Sequence, residues 1–169
     1  MEIKLPLYDL LNRFLIGLVF IGCVFAINIS CFKPYISKDY FETLSVGPEI
    51  IITICIFAIS YEVGFIINRI GSIALEPFLK KTHLISFNND YKLFNKAKVK
   101  YPIMETLSRE YALSRTSTTL FLLLTIIALV GEKKILSVIF VLFAIIFCLS
   151  CRKFAKKIVE LMEKDLEKE

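Results

Sequence analysis

The chain has 169 residues, 56% of them hydrophobic, and a mean hydropathy of +0.67. With 15 Phe, six Gly and five Pro, this composition excludes a disordered, collagen-like or linker protein. It also disfavours a soluble enzyme, because one small core cannot hide so much apolar surface. The net charge is +5, from 21 Lys and Arg against 16 Asp and Glu, and in a membrane protein its placement matters more than its total.

Four apolar stretches follow in chain order. The first centres on Phe14–Ile27 and extends to about residues 10–30 if Asn12, Arg13 and Asn28 lie at the interfaces. At ~1.5 Å per residue, ~20 residues cover a ~30 Å hydrocarbon core. It does not read as a cleaved signal peptide, because Glu2 and Asp9 precede it and no clean small-x-small site follows. The second covers residues 50–67, follows Gly47-Pro48 and contains one charge, Glu62. The third, residues 116–130, is short, but the hydroxyls at 116–119 can bond back to the helix and lengthen it. The fourth covers residues 135–151, and Gly131-Glu-Lys-Lys134 joins it to the third as a tight hairpin. None of these runs alternates as barrel strands must.

The expected fold is therefore an all-α integral membrane protein with four transmembrane helices. Residues 1–68 form a first membrane hairpin, 69–115 a basic cytoplasmic segment, 116–151 a second hairpin and 152–169 an amphipathic tail helix. The N-terminal segment, residues 69–115 and the tail carry two, nine and six Lys or Arg, whereas the two intervening loops carry two each. The positive-inside rule places both termini and residues 69–115 in the cytoplasm.

Within 69–115, residues 69–81 read as a helical continuation of the second span, with a kink at Pro77. Pro102 marks a new start, and residues 103–115 read as a helix leading into the third span. This segment holds nine basic and four acidic residues. In the tail, Phe154, Ile158, Leu161 and Asp165 trace one face, which suits an interfacial anchor or helix packing in an oligomer.

Glu62 is the sharpest single signal. An ionisable group within a span costs ~2.5–3.5 kcal/mol on insertion scales, so it needs a partner or water. It either lines a pore or gate, with Asn68 and Arg69 beyond it, or pairs with Arg69, Arg109 or Arg115. Ser60, Gly64 and Gly71 are small positions where another helix can approach. Lys92, Lys96, Lys98 and Lys100, interleaved with Tyr91, Phe94 and Tyr101, suit phosphate binding and base stacking, with Arg109 and Arg115 adding bidentate contacts. The competing reading is a basic rim held to anionic lipid.

Chemistry beyond binding has little support. The five Cys, at 23, 31, 55, 148 and 151, read as small apolar side chains in or near spans, and one His, His83, builds no metal site. No nucleophile elbow, zinc-protease, Walker A or dinucleotide motif occurs, so neither an enzyme nor a cofactor is expected.

Three blocks carry a family likeness: Leu7-Tyr-Asp-Leu-Leu-Asn-Arg-Phe-Leu-Ile-Gly-Leu-Val-Phe20, Tyr61-Glu-Val-Gly-Phe-Ile-Ile-Asn-Arg-Ile-Gly-Ser72 running on to Glu76-Pro77-Phe78, and Ser108-Arg-Glu-Tyr-Ala-Leu-Ser-Arg-Thr116. Together they resemble small multi-spanning membrane effectors of bacterial nucleotide-signalled phage-defence systems, of the Hailong and CBASS types. The resemblance implies a multi-pass homo-oligomer of the bacterial inner membrane, with a tetramer as one expected form. It also implies an ion pathway opened by an anionic nucleotide messenger from a partner nucleotidyltransferase, and no binding of duplex nucleic acid. Residues 69–115 would then be the receptor and the Glu62 span the pore wall. The alternative is a membrane anchor or scaffold that docks a soluble partner on its basic face.

Overall fold

The computed structural model describes residues 7–28, 46–82, 84–85 and 91–166. Among them every regular element is helical: α1 (Leu7–Ile27), α2 (Val46–Ile70), a π turn (Gly71–Leu75), α3 (Glu76–Lys81), α4 (Tyr91–Lys100), α5 (Ile103–Val130) and α6 (Lys134–Leu166). Three helical stretches are long and apolar enough to cross a membrane: Glu49–Lys81, Ile103–Val130 and Lys134–Lys164. The 21-residue α1 carries a shorter apolar run, Asn12–Ile27. The chain divides into two compact units, one of Met1–Ile67 with Leu120–Val141, the other of Asn68–Thr119 with Leu142–Glu169.

In the first unit α1 and α2 meet backbone to backbone. A Cβ on Gly17 would lie 1.7 Å from the Ser60 carbonyl oxygen, and one on Gly64 would lie 1.8 Å from that of Arg13. Ser60 and Gly64, two of the small residues expected to admit a neighbouring helix, admit α1 of the same chain. Close approach brings Phe14 and Phe57 into a stack with centroids 4.4 Å apart. It also places the Arg13 guanidinium 5.3 Å over the Phe65 ring and within hydrogen-bond reach of the Tyr61 hydroxyl, Nη1 donating at 3.2 Å. Leu120, Leu124 and Ala128 line the buried face of α5, and Phe121 meets Phe140 of α6. The α5–α6 hairpin closes as expected: Lys133 N–H donates to the Ala128 carbonyl and Glu132 takes a left-handed φ of 55°.

The second unit is built on α3, α4, the start of α5 and the tail of α6. Its core joins Leu79, Ala97, Met104, Leu107 and Tyr111 to Cys151, Ala155, Ile158 and Met162. The tail's buried face is thus the 151–155–158–162 row, with Phe154 and Leu161 partly buried beside it. This corrects the expected 154–158–161 face. The 151–155–158–162 row of the tail thus packs within the chain. Asp165 lies outside the described side chains.

The helix over 69–81 forms as expected, but through a π turn: Glu76 N–H donates to the Gly71 carbonyl, five residues back. The irregularity directly precedes Pro77, the second residue of α3, and the wider turn eases the clash of its ring with the preceding turn. Thr116, Thr118 and Thr119 each bond the carbonyl four residues back, at 2.8–3.0 Å. The hydroxyls at the head of the third apolar run are thus internally satisfied, as a helix entering hydrocarbon requires.

Candidate functional site

The first unit places Glu62 in an unusual setting. From Glu49 to Arg69, 20 residues of helix rise ~30 Å, the thickness of a hydrocarbon core. Glu62 is the single charge between them, ~10 Å from the Arg69 end. Its side chain is exposed and makes no ion pair among the described residues. Around it Ile59 and Ile66 are 55% and 53% exposed. Ser60 and Gly64, each two residues away, turn to α1, so Glu62 lies on the opposite side of α2. α6 differs. Between Lys134 and Arg152 it has no charge, and Ile135, Val138, Leu142, Ile146 and Leu149 are all more than half exposed. One membrane-length helix therefore presents a purely apolar surface, and another presents a carboxylate.

Two of the expected arginine partners, Arg115 and Arg109, are engaged elsewhere. Arg115 Nη1 donates to Glu76 Oε2, and Nη2 to Asn68 Oδ1 at 3.2 Å. Asn68 Oδ1 also accepts from Thr116 Oγ1 at 3.0 Å. Glu76 receives Lys80 at 3.1 Å through its other oxygen. The guanidinium lies 5.8 Å from the Tyr111 ring centroid, and its Nε is buried with no hydrogen-bond partner among the described residues. The Arg115 and Glu76 side chains are 12% and 21% exposed, so this is a partly buried polar cluster. Arg109 is held by Glu105 of its own helix at 2.6 Å.

These placements divide the residues singled out in the sequence. Asn68 and Arg115 come together with Glu76, Lys80 and Thr116, which the sequence did not mark. Arg115 is committed to that cluster rather than to a surface. Arg69 is exposed on α2. Lys96, Lys98 and Lys100 are exposed on α4, whose Ala97 is fully buried, and Lys100 Nζ lies 5.8 Å from the Tyr101 ring centroid. Lys92 belongs to α4, but its side chain, like that of Tyr91, lies outside the described residues, as does His83. A groove of mixed charge went unmarked: Arg152 and Lys156 border about 330 Å³ with Leu84, Ile85, Glu160 and Glu163, and Lys156 lies 3.8 Å from Glu160. The signal available was the i,i+4 spacing of the two cations on a helix whose other face is apolar.

No protein-family model matches the chain, and no curated protein or solved structure matches it.

Proposed function

We propose that this protein is a multi-pass membrane protein with four spans and cytoplasmic termini. In this reading it assembles as a homo-oligomeric channel or pore of the bacterial inner membrane. An anionic, nucleotide-like messenger on the basic segment opens it, and the ion flux or depolarisation acts in phage defence. The observation that carries the channel reading is the exposed Glu62 on a membrane-length helix. A carboxylate turned to lipid costs several kcal/mol, whereas one turned to a water-filled path between copies does not. The defence role rests on the resemblance of the three sequence blocks.

The receptor reading draws support from α5. If residues 116–130 cross the bilayer, the 13 residues before them extend ~20 Å beyond it. Lys100, three residues before that end of α5, is then beyond the ~8 Å screening length within which lipid charge acts at physiological salt. This favours a soluble anion over a lipid headgroup for Lys98 and Lys100, with Lys96 and Arg109 nearby in sequence. Arg115 enters this reading through its contacts, as a coupling residue rather than a ligand.

Potassium efflux from proteoliposomes tests the proposal, with a cyclic dinucleotide, a linear dinucleotide and ATP as added probes. Efflux is expected with at least one probe. Lys96→Glu with Lys98→Glu should abolish the response at physiological salt, and Glu62→Gln should reduce flux or change selectivity. Full incorporation with no efflux under any probe would favour the anchor, in which the same basic face docks an acidic protein.

A further inference from the structure

We propose that the π turn and the Arg115–Glu76 pair form a latch between α3 and α5, in which helical register decides whether the pair is closed. Asn68 and Glu76 both reach Arg115 from the same chain segment. They are eight residues apart, which on an unbroken α-helix puts them ~80° apart around the axis. The π turn between them absorbs one residue, so they behave as an i,i+7 pair and share a face. Gly71 opens this turn and lets α5 come close: a Cβ there would lie 2.7 Å from Thr119 Oγ1. The extra residue is therefore what aims Glu76 at Arg115.

The same device supplies a way out. If the π turn relaxes to an α turn, every residue after it rotates ~100° about the helix axis. Glu76 then leaves Arg115, while Asn68, before the turn, stays in place. Two alternative registers of one helix make a discrete switch, not a graded one. The change keeps the chain length, but the rotation of α3 also turns Leu79 out of its buried position and sets Pro77 inside an unbroken helix, so the closed register is the resting one. The joint lies in the chain between the Glu62 helix and α4 with its exposed lysines. Its role in gating rests on the channel reading, but its existence does not.

Two variants of the full chain in nanodiscs separate the possibilities, read by hydrogen exchange of the amides of residues 72–80. Glu76→Gln weakens the closed state and should speed exchange there at least ~10-fold. Deleting Ile73, a side chain 75% exposed, together with Pro77→Ala so that no proline is left inside the continuous helix, removes the extra residue and places Asn68 and Glu76 seven apart on an α-helix. The deletion should hold the pair closed in the relaxed register and slow exchange below that of the unaltered chain. Unchanged exchange in Glu76→Gln, or faster exchange in the deletion, would overturn the latch. Potassium leak from vesicles without added ligand then tests the link to conduction. It should rise at least several-fold in Glu76→Gln and stay at the wild-type level in the deletion. Equal leak from all three, with the exchange pattern as expected, would overturn the gating role. If the wild type never conducts under any probe while exchange behaves as expected, the channel reading fails and the latch stands as a structural joint.

Discussion

Gly64→Ala is expected to destabilise the protein by about 3 kcal/mol, and Gly17→Ala by a similar amount. The added methyl at either position meets a carbonyl oxygen at less than 2 Å, and that oxygen belongs to the helix backbone of the neighbour. A flexible side chain can swing aside, but a backbone carbonyl in a helix cannot. The two helices must separate, and the Phe14–Phe57 stack and the Arg13 contacts to Tyr61 and Phe65 loosen with them. Gly22 is the internal control, because nothing lies within 4 Å of a Cβ there. Gly22→Ala should be neutral or gain about 0.5–1 kcal/mol from helix propensity. Thermal unfolding in detergent, followed by size exclusion, reads all three. Equal behaviour of the three variants would mean that α1 and α2 do not cross at these glycines.

The second large effect is expected at the partly buried Arg115–Glu76 cluster, and it should be asymmetric, with losses toward the lower end of those for a fully buried pair. Removing one partner of a buried ion pair typically costs about 3–5 kcal/mol, because the other charge is left uncompensated. Arg115→Met leaves Glu76 with Lys80 at 3.1 Å, so its carboxylate keeps a cation. Glu76→Leu leaves the Arg115 guanidinium with only the neutral Asn68 oxygen and the Tyr111 ring. Glu76→Leu should therefore be the more damaging single change. The double variant should recover most of the loss, because no buried charge remains unpaired. A double-mutant cycle of thermal stabilities measures the coupling. Additive losses would show that the two side chains do not depend on each other.

Much of this architecture was legible in the sequence because it follows from periodicity and local chemistry. The apolar runs, the Gly131–Lys134 hairpin, the break at Pro102 and the back-bonding threonines are all local signals. The side of α2 occupied by α1 was half legible. Ser60 and Gly64 marked the close-contact face, and two residues of helix put Glu62 ~180° from its midline. Reading that angle would have placed Glu62 away from the helix packing and away from an intramolecular arginine.

The tail misled for a physical reason. Its buried row includes Cys151 and Ala155, small residues with weak hydropathy that admit close approach, so the large side chains of Phe154 and Leu161 shifted the apparent centre of the face. The π turn left no trace, since Gly-Ser-Ile-Ala-Leu is compatible with an ordinary helix. The Arg115–Glu76 pair spans 39 positions, and no local rule links residues so far apart. Its discovery required the fold, and it gives the Arg115 guanidinium an acidic partner within the chain.

Water access to the Glu62 face of α2 is the central claim, and thiol labelling in vesicles tests it most directly. In a background with the native cysteines replaced by serine or alanine, Glu62→Cys and Ile146→Cys carry one thiol each. A charged, membrane-impermeant thiol reagent reacts with thiols that meet water and spares those facing lipid. Position 62 should label at least ~10-fold faster than position 146, although both lie in exposed parts of membrane-length helices. Equal, slow labelling at the two positions would contradict the account, because the carboxylate side of α2 would then face the same apolar surroundings as α6.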